Sequence, residues 1–101
     1  MLLNKNILVT GVGKGLGFNL LHNIISNNGY VYGITRSKED LKKFKNVKNC
    51  KVFLGDVKNT NIIKKIIIQS KKDKRVINGL VNNAAERQRI KFTNINKKKL
   101  M

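Results

Sequence analysis

The sequence predicts an α/β fold: a doubly wound parallel sheet with helices on both faces. Short runs of β-branched and aliphatic residues alternate with segments whose apolar residues recur every three or four positions. This alternation is typical of successive β-α-β units, which join parallel strands through right-handed crossovers. A glycine-rich segment directly follows the first apolar run, Ile7–Val9, where such folds turn from strand into helix.

Four strands and three helices are predicted in alternation. The strands are predicted at residues 7–9, 30–35, 51–54 and 76–81. The first helix stops near residues 27–29, the second covers 38–44 behind Ser37 as N-cap, and the third begins at Asn59 or Thr60 as cap. Apolar stripes on the first and third helices predict the faces that pack on the sheet: Leu16, Leu20, Leu21, Ile24 and Ile25, then Ile62, Ile63, Ile66 and Ile67. The element order favours a sheet ordered 3-2-1-4, an incomplete version of the doubly wound fold.

Composition indicates a single small domain over residues 1–101, with 41% hydrophobic residues. A single cysteine, Cys50, excludes an intrachain disulfide, and neither Cys50 nor His22 has metal-ligand spacing around it. The first residues do not follow the order of a signal peptide, and no apolar run approaches the ~18 residues of a membrane span. We therefore expect a cytoplasmic protein with no membrane partner.

The chain is strongly basic, with 22 lysines and arginines against 5 acidic residues and a formal net charge of +17. One interpretation is a polyanion-binding surface. Aromatic residues that could stack on bases make up only 6% of the chain, however, and lysine is spread along the whole sequence. A solvated lysine-rich surface without a nucleic-acid partner is the favoured interpretation, and such a surface still attracts an anionic cofactor.

The glycine-rich segment is the strongest indication of function. It reads Thr10-Gly11-Val12-Gly13-Lys14-Gly15-Leu16-Gly17. Its spacing excludes the Walker A loop, G-x-x-x-x-G-K-[ST], and the general G-x-G-x-x-G fingerprint, whose third glycine would fall at Leu16. Glycines at a strand-to-helix turn allow positive φ and let the backbone approach a diphosphate at the helix amino end. The segment therefore predicts nucleotide binding, against the alternative of a merely flexible loop.

Three further segments follow the other predicted strands: Arg36-Ser37, Asp56-Val57, and Asn82 to Ala85. Ligands of doubly wound sheets bind beyond the carboxyl ends of the strands, so all four segments are predicted to meet at one site. An acid about 20 residues past the glycines holds the ribose hydroxyls of NAD, whereas a basic residue accommodates the 2′-phosphate of NADP. Arg36 occupies that place and Lys14 adds a charge, which favours NADP over NAD; the alternative is that Arg36 is an ordinary exposed arginine.

The pattern T-G-x-x-x-G-x-G, matched by Thr10, Gly11, Gly15 and Gly17, resembles the cofactor loop of the short-chain dehydrogenase/reductase family, which has a Rossmann-type fold. The resemblance implies that Asp56 binds the adenine amino group and that Val57 packs beside the ring. The segment from Asn82 to Ala85 is similar to the family's N-N-A-G, in which the first asparagine ties the central sheet and the following backbone lines the ribose. Ala85 departs from that pattern. The candidate cofactor-binding residues are Gly11, Val12, Gly13, Lys14, Gly15, Leu16, Gly17, Arg36, Ser37, Asp56, Val57, Asn83, Ala84 and Ala85.

The resemblance also implies an NADP(H)-dependent oxidoreductase that interconverts carbonyls and alcohols by hydride transfer, and a full-length homo-oligomer. The family's Y-x-x-x-K has no match, because Tyr30 and Tyr32 are followed four positions later by Ile34 and Arg36. No catalytic residue is therefore assigned, and the chain is expected to be the N-terminal cofactor-binding half, truncated before the catalytic segment. The alternatives are a noncatalytic nucleotide binder, a gene remnant, or a basic polyanion-binding protein.

Overall fold

The computed structural model describes residues 3–83, which form four strands and three helices in strict alternation. The strands are β1 (Asn6–Thr10), β2 (Tyr30–Thr35), β3 (Cys50–Leu54) and β4 (Gly79–Val81), and the helices are α1 (Gly15–Ser26), α2 (Lys38–Lys42) and α3 (Thr60–Lys72). All neighbouring strands are parallel, in the order β3-β2-β1-β4. The predicted fold class and strand order are confirmed.

The helices lie on both faces of the sheet, because the direction of the crossovers reverses after β3. Each strand alternates its side chains between the faces, so Leu8 and Val9 of β1 enter different cores. The first core joins the sheet to α1 and α2 through Val9, Val12, Leu21, Ile24, Val31 and Phe44. The second joins it to α3 through Leu8, Tyr32, Ile34, Ile62 and Ile66. This three-layer arrangement is what right-handed crossovers in opposite directions require.

Helix α1 faces the sheet with one row of residues, Gly17, Leu21 and Ile24. Leu16 was predicted to share this buried stripe, but its side chain is 51% exposed. Successive residues are rotated by about 100° around the helix axis, which turns Leu16 away from the row of Gly17. The helix ends within the predicted region, where the Gly29 amide donates to the Ile24 carbonyl at 2.9 Å.

The other two helices begin at side-chain caps. Ser37 Oγ accepts a hydrogen bond from the Asp40 amide at 3.2 Å, as predicted, and Asn59 Oδ1 caps α3 by accepting one from the Asn61 amide at 3.0 Å. The regular part of α2 is shorter than predicted and ends at Lys42. The buried stripe of α3 is also narrower, because Ile67 is 40% exposed at its edge.

Strand β4 is shorter than the predicted strand at 76–81. Asn6, at the start of β1, replaces part of the expected ladder: its amide donates to Asn78 Oδ1 at 2.8 Å, and its Nδ2 donates to the Val76 carbonyl at 2.9 Å. The Asn78 amide in turn donates to the Asn6 carbonyl at 2.7 Å. Side-chain amides thus satisfy the Asn6 amide and the Val76 carbonyl, and regular strand pairing starts only at Gly79.

A polar cluster ties the end of α3 to the sheet at Asp73. The Tyr32 hydroxyl donates to Asp73 Oδ2 at 2.7 Å, Lys51 Nζ donates to both carboxylate oxygens at 2.9 Å, and Gln69 Nε2 donates at 3.0 Å. These hydrogen bonds, led by those of Lys51 and Tyr32, lower the pKa of Asp73 from its ordinary 3.8 to about 2. Burial and the bond to Asp73 raise the pKa of Tyr32, which is fully buried within the strand.

This cluster predicts a specific acid sensitivity. Because the pKa of Asp73 is lower in the folded chain than in the unfolded chain, its stabilisation is fully present above about pH 4 and is lost as the pH falls towards 2. Asp73→Asn is expected to lower the melting temperature at neutral pH and to flatten its decline between pH 4 and 2, measured by circular dichroism. The control Glu39→Gln, on the exposed side of α2, should keep the wild-type slope. Equal slopes for Asp73→Asn and wild type would contradict the assignment.

Candidate functional site

The four predicted strand-end segments meet at the carboxyl ends of the parallel strands. Two of them follow the central strands β1 and β2, and the other two follow the edge strands β3 and β4. Direct contacts join neighbouring segments: Arg36 Nη1 lies 3.8 Å from Asp56 Oδ2, and Asn83 Nδ2 donates to the Gly11 carbonyl at 3.1 Å. The structure therefore brings the described members of the predicted set to one edge, while Ala84 and Ala85 lie outside the described residues.

The glycine turn is anchored first to β2. The amides of Gly11 and Val12 both donate to the Ile34 carbonyl, at 2.8 and 3.1 Å, and Gly11 has a positive φ of 68°. The Val12 side chain is fully buried in the first core and packs over Gly33. Val12 as a whole residue is fully buried and its amide is bonded to Ile34, so its role in the structure is to hold the turn against β2.

Two glycines of the turn are required by close packing. A Cβ on Gly13 would stand 2.6 Å from Asp40 Cβ and 2.8 Å from Thr35 Oγ1. A Cβ on Gly17 would overlap the Gly11 carbonyl oxygen and lie 2.6 Å from Asn83 Nδ2. The absence of side chains at both positions lets α1 and α2 approach the end of β1 closely.

Gly15 has a different environment, open to solvent. It has a φ of 55°, and among residues 3–83 a Cβ there would meet no atom within 4 Å. It is the first residue of α1, whose opening backbone bond runs from the Phe18 amide to the Lys14 carbonyl. The amides before Phe18 lie in the first turn, where α-helices leave such groups without intrahelical acceptors. Together with the lack of acidic residues in this first turn, the open backbone fits an anionic diphosphate.

Arg36 and Ser37 follow β2 but differ in their contacts. The Arg36 side chain is 74% exposed and its ion pair with Asp56 is open to water, so the pair adds only about 0–1 kcal/mol to stability. Its guanidinium remains accessible to a ligand. Ser37 is half-buried, and its hydroxyl oxygen caps α2. Ser37, which is predicted to lie beside the cofactor, therefore also has a structural role as the N-cap of α2.

Asp56 and Val57 follow β3 at the same edge. Asp56 Oδ1 accepts a hydrogen bond from the Lys58 amide at 2.9 Å, which is a turn contact, while Oδ2 faces Arg36. Val57 packs against the second core, so the start of this loop is held by apolar contact as well. Asp56 can thus shape the turn and orient Arg36 with its two oxygens.

Both asparagines after β4 contact the first strand or its turn. Thr10 Oγ1 donates to Asn82 Oδ1 at 3.1 Å, and Asn83 bonds the Gly11 carbonyl. Asn83 is buried, and its Oδ1 has no hydrogen-bond partner in the part of the chain that the structure describes. The resemblance assigned the sheet contact to Asn82; the structure divides it between the two residues.

Comparison with known proteins places this geometry in a family. The family model described as short chain dehydrogenase matches residues 5–101, nearly the whole chain. The chain belongs to the short-chain dehydrogenase family. It is 34% identical over 86 residues to an uncharacterized oxidoreductase of Saccharomyces cerevisiae, covering 81% of this chain and 34% of that protein. It is 35% identical over 82 residues to 3-amino-tetrahydro-pyrrolizinone reductase of Xenorhabdus hominickii, covering 79% and 28% respectively.

Solved structures match the fold, and one of them is a short chain dehydrogenase. One from Bacillus anthracis superposes with a TM-score of 0.73 at 25% identity, covering 82% of this chain and 35% of that one. A variant of ElxO with NADPH bound superposes with a TM-score of 0.67 at 27% identity, covering 78% and 34%. The chain spans about a third of the length of these relatives.

Residues 3–83 add two negative findings: no group of three or more His, Cys, Asp or Glu side chains could hold a metal ion, and no helix there is long and apolar enough to cross a membrane.

Two residues that contact the candidate site were not predicted from the sequence: Asp40, in α2, and Lys43, directly after it. Lys43 Nζ donates to the Gly13 carbonyl at 2.8 Å and lies 3.1 Å from Asp40 Oδ1. Opposite charges three positions apart in a predicted helix could have indicated the pair itself. Its contact with the glycine turn depends on how α2 packs, which no local pattern shows.

The close approach at Gly17 can be tested by adding one methyl group. Gly17→Ala is expected to lower the free energy of unfolding by about 1–3 kcal/mol, because its Cβ must displace the Gly11 carbonyl or the Asn83 amide. The measurement is chemical denaturation followed by circular dichroism. Gly79→Ala in β4 is the control: its Cβ would lie no nearer than 3.9 Å to other atoms, and a change within about 0.5 kcal/mol is expected. Equal losses in the two variants would contradict the packing argument.

Proposed function

We propose that this chain is the cofactor-binding part of an NADP(H)-dependent short-chain oxidoreductase that interconverts a carbonyl and an alcohol. The observation that carries the proposal is the open backbone at Gly15, which stands at the amino end of α1 and at the carboxyl edge of the sheet. In this arrangement, the first amides of α1 bind the diphosphate. The neighbouring strand ends then hold the two nucleoside halves of the cofactor.

The preference for NADP rests on charge at the end of β2. An acidic residue there would hold ribose hydroxyls but repel a 2′-phosphate. Arg36 instead offers a planar guanidinium that suits phosphate, its side chain is largely exposed, and Asp56 contacts it from β3. Exposed Lys14 adds a second positive charge in the glycine turn. The NADPH bound to the ElxO variant supports the same cofactor class.

The residues present indicate which parts of the reaction this chain would support and which it would not. The bound nicotinamide would supply the hydride, and the residues described here would bind and orient the cofactor. Tyr32 is fully buried and donates to Asp73, and Tyr30 is the first residue of β2, at the opposite end of the strand from the site, so neither tyrosine is proposed as the proton donor. Proton transfer to substrate is therefore proposed for the part of the family length that this chain does not span.

A nucleotide binder without turnover remains the second candidate. The intact mass of the native polypeptide separates the two. A mass far above 11.5 kDa, together with NADPH-dependent carbonyl reduction, supports the oxidoreductase. A mass of 11.5 kDa with NADPH binding but no turnover supports the binder.

Cofactor selectivity tests the role of Arg36. Arg36→Asp is expected to weaken NADPH binding by about tenfold or more, because a charge-assisted contact to phosphate contributes roughly 1.5–3 kcal/mol. NADH binding should change much less, since NADH lacks the 2′-phosphate. Both affinities are measured by isothermal titration calorimetry on the chain.

The control is Lys45→Asp, which makes the same charge change at an exposed position after α2. It should alter NADPH and NADH affinity by similar small factors. An unchanged ratio of NADPH to NADH affinity in Arg36→Asp would contradict the assignment of Arg36. Failure of the folded wild-type chain to bind either nucleotide would contradict the proposed function as a whole.

A further inference from the structure

We propose that Lys43, oriented by Asp40, is a positioning residue that holds the Gly13–Lys14 peptide so that the glycine turn presents its amides to the cofactor diphosphate. This inference rests on the proposed function. It adds two residues that belong to none of the four strand-end segments and lie in or directly after α2.

The contacts form a short chain from α2 to the turn. Ser37 caps α2 through the Asp40 amide, which fixes the start of the helix beside the end of β2. The Asp40 side chain is buried against Gly13, and its Oδ1 lies 3.1 Å from Lys43 Nζ. Lys43 Nζ also donates to the Gly13 carbonyl at 2.8 Å and stands 5.4 Å from the centre of the Phe18 ring. A partly exposed lysine is thereby held in one place by three neighbours.

The planar peptide unit couples the orientation of the Gly13 carbonyl, which Lys43 bonds, to that of the Lys14 N–H on its other side. The Gly13–Lys14 peptide is trans, so its carbonyl and the Lys14 N–H point in opposite directions from one plane. Fixing the Gly13 carbonyl on Lys43 therefore fixes the direction of the Lys14 N–H, just before open Gly15. An ammonium group on the carbonyl also polarises the peptide and strengthens its N–H as a donor.

The pair has a second effect, through charge. The buried Asp40 carboxylate beside Gly13 would by itself repel a diphosphate, and the Lys43 ammonium offsets it. Loss of Lys43 would therefore weaken cofactor binding in two ways, by releasing the peptide and by exposing the ligand to a negative charge. These two effects can be separated with a double variant.

The first experiment measures NADPH and NADH affinity of Lys43→Met by calorimetry. Both cofactors should bind about tenfold more weakly, with their affinity ratio unchanged, because the diphosphate is common to both. The control Lys42→Met removes an exposed lysine of α2 and should leave both affinities at the wild-type value. Lys43→Arg, which retains a long cationic donor, should restore most of the binding. Circular dichroism verifies folding, and Lys43→Ser replaces Lys43→Met with the same expectation if the latter does not fold.

The double variant Asp40→Asn with Lys43→Met decides between positioning and charge. If Lys43 acts by holding the peptide, the double variant stays weak for both cofactors. Recovery to the wild-type affinity would overturn the proposal, because neutralising Asp40 would then be the whole role of Lys43. Wild-type affinity in Lys43→Met, or a loss confined to NADPH, would overturn it too. A wild-type chain that binds neither cofactor instead refutes the proposed function, so the two failures are distinguishable.

Discussion

The close contact of α1 with the end of β1 is the constraint on which the rest of this structure depends. Gly17 brings the helix backbone against the Gly11 carbonyl with no side chain between them, and Asn83, which follows β4, donates to the same carbonyl. One carbonyl group thus joins the first strand, the first helix and the fourth strand. Because these elements converge there, the amino end of α1 lies at the carboxyl ends of the strands, where no other atom of the described part of the chain would contact a side chain at Gly15.

The two halves of the site differ in how they are held. The glycine turn is fixed by backbone bonds to Ile34, by buried Val12 and by Lys43, which leaves few groups free to move. The Arg36 and Asp56 pair is exposed and weakly coupled. Under the proposed function, the rigid turn would hold the diphosphate that all nicotinamide cofactors share, and the water-exposed pair would face the part that differs between NAD and NADP.

Polar contacts near the amino ends of the strands stabilise the fold. Asn6 and Asn78 close the start of β1 against the approach to β4, and Asp73 fastens the end of α3 to β2 and β3. The Asn6 and Asn78 side chains bond backbone groups, whereas the Asp73 contacts join side chains. Within residues 3–83, the polar groups of the candidate site therefore lie at the carboxyl ends of the strands, and these stabilising contacts lie nearer the amino ends.

Several features were determined by the sequence alone. The alternation of apolar runs and helical stripes determined the parallel sheet, its order and the meeting of four strand-end segments, because crossover handedness leaves few other topologies. The caps at Ser37 and Asn59 were also readable, since capping depends on residues two or three positions apart. Glycine spacing was enough to place the turn between β1 and α1.

Only the tertiary structure decided the features that depend on contacts between distant residues. Leu16 is apolar, as core residues are, but it lies outside the row of α1 that packs on the sheet. Strand β4 is shortened because Asn6 bonds to Val76, 70 residues away in the sequence, in the segment before it. The hydrogen bond from Lys43 to the Gly13 carbonyl likewise joins residues that are separated in the sequence by α1, β2 and α2. Local patterns report the periodicity of one segment, whereas these outcomes depend on the rotation and distance at which segments pack.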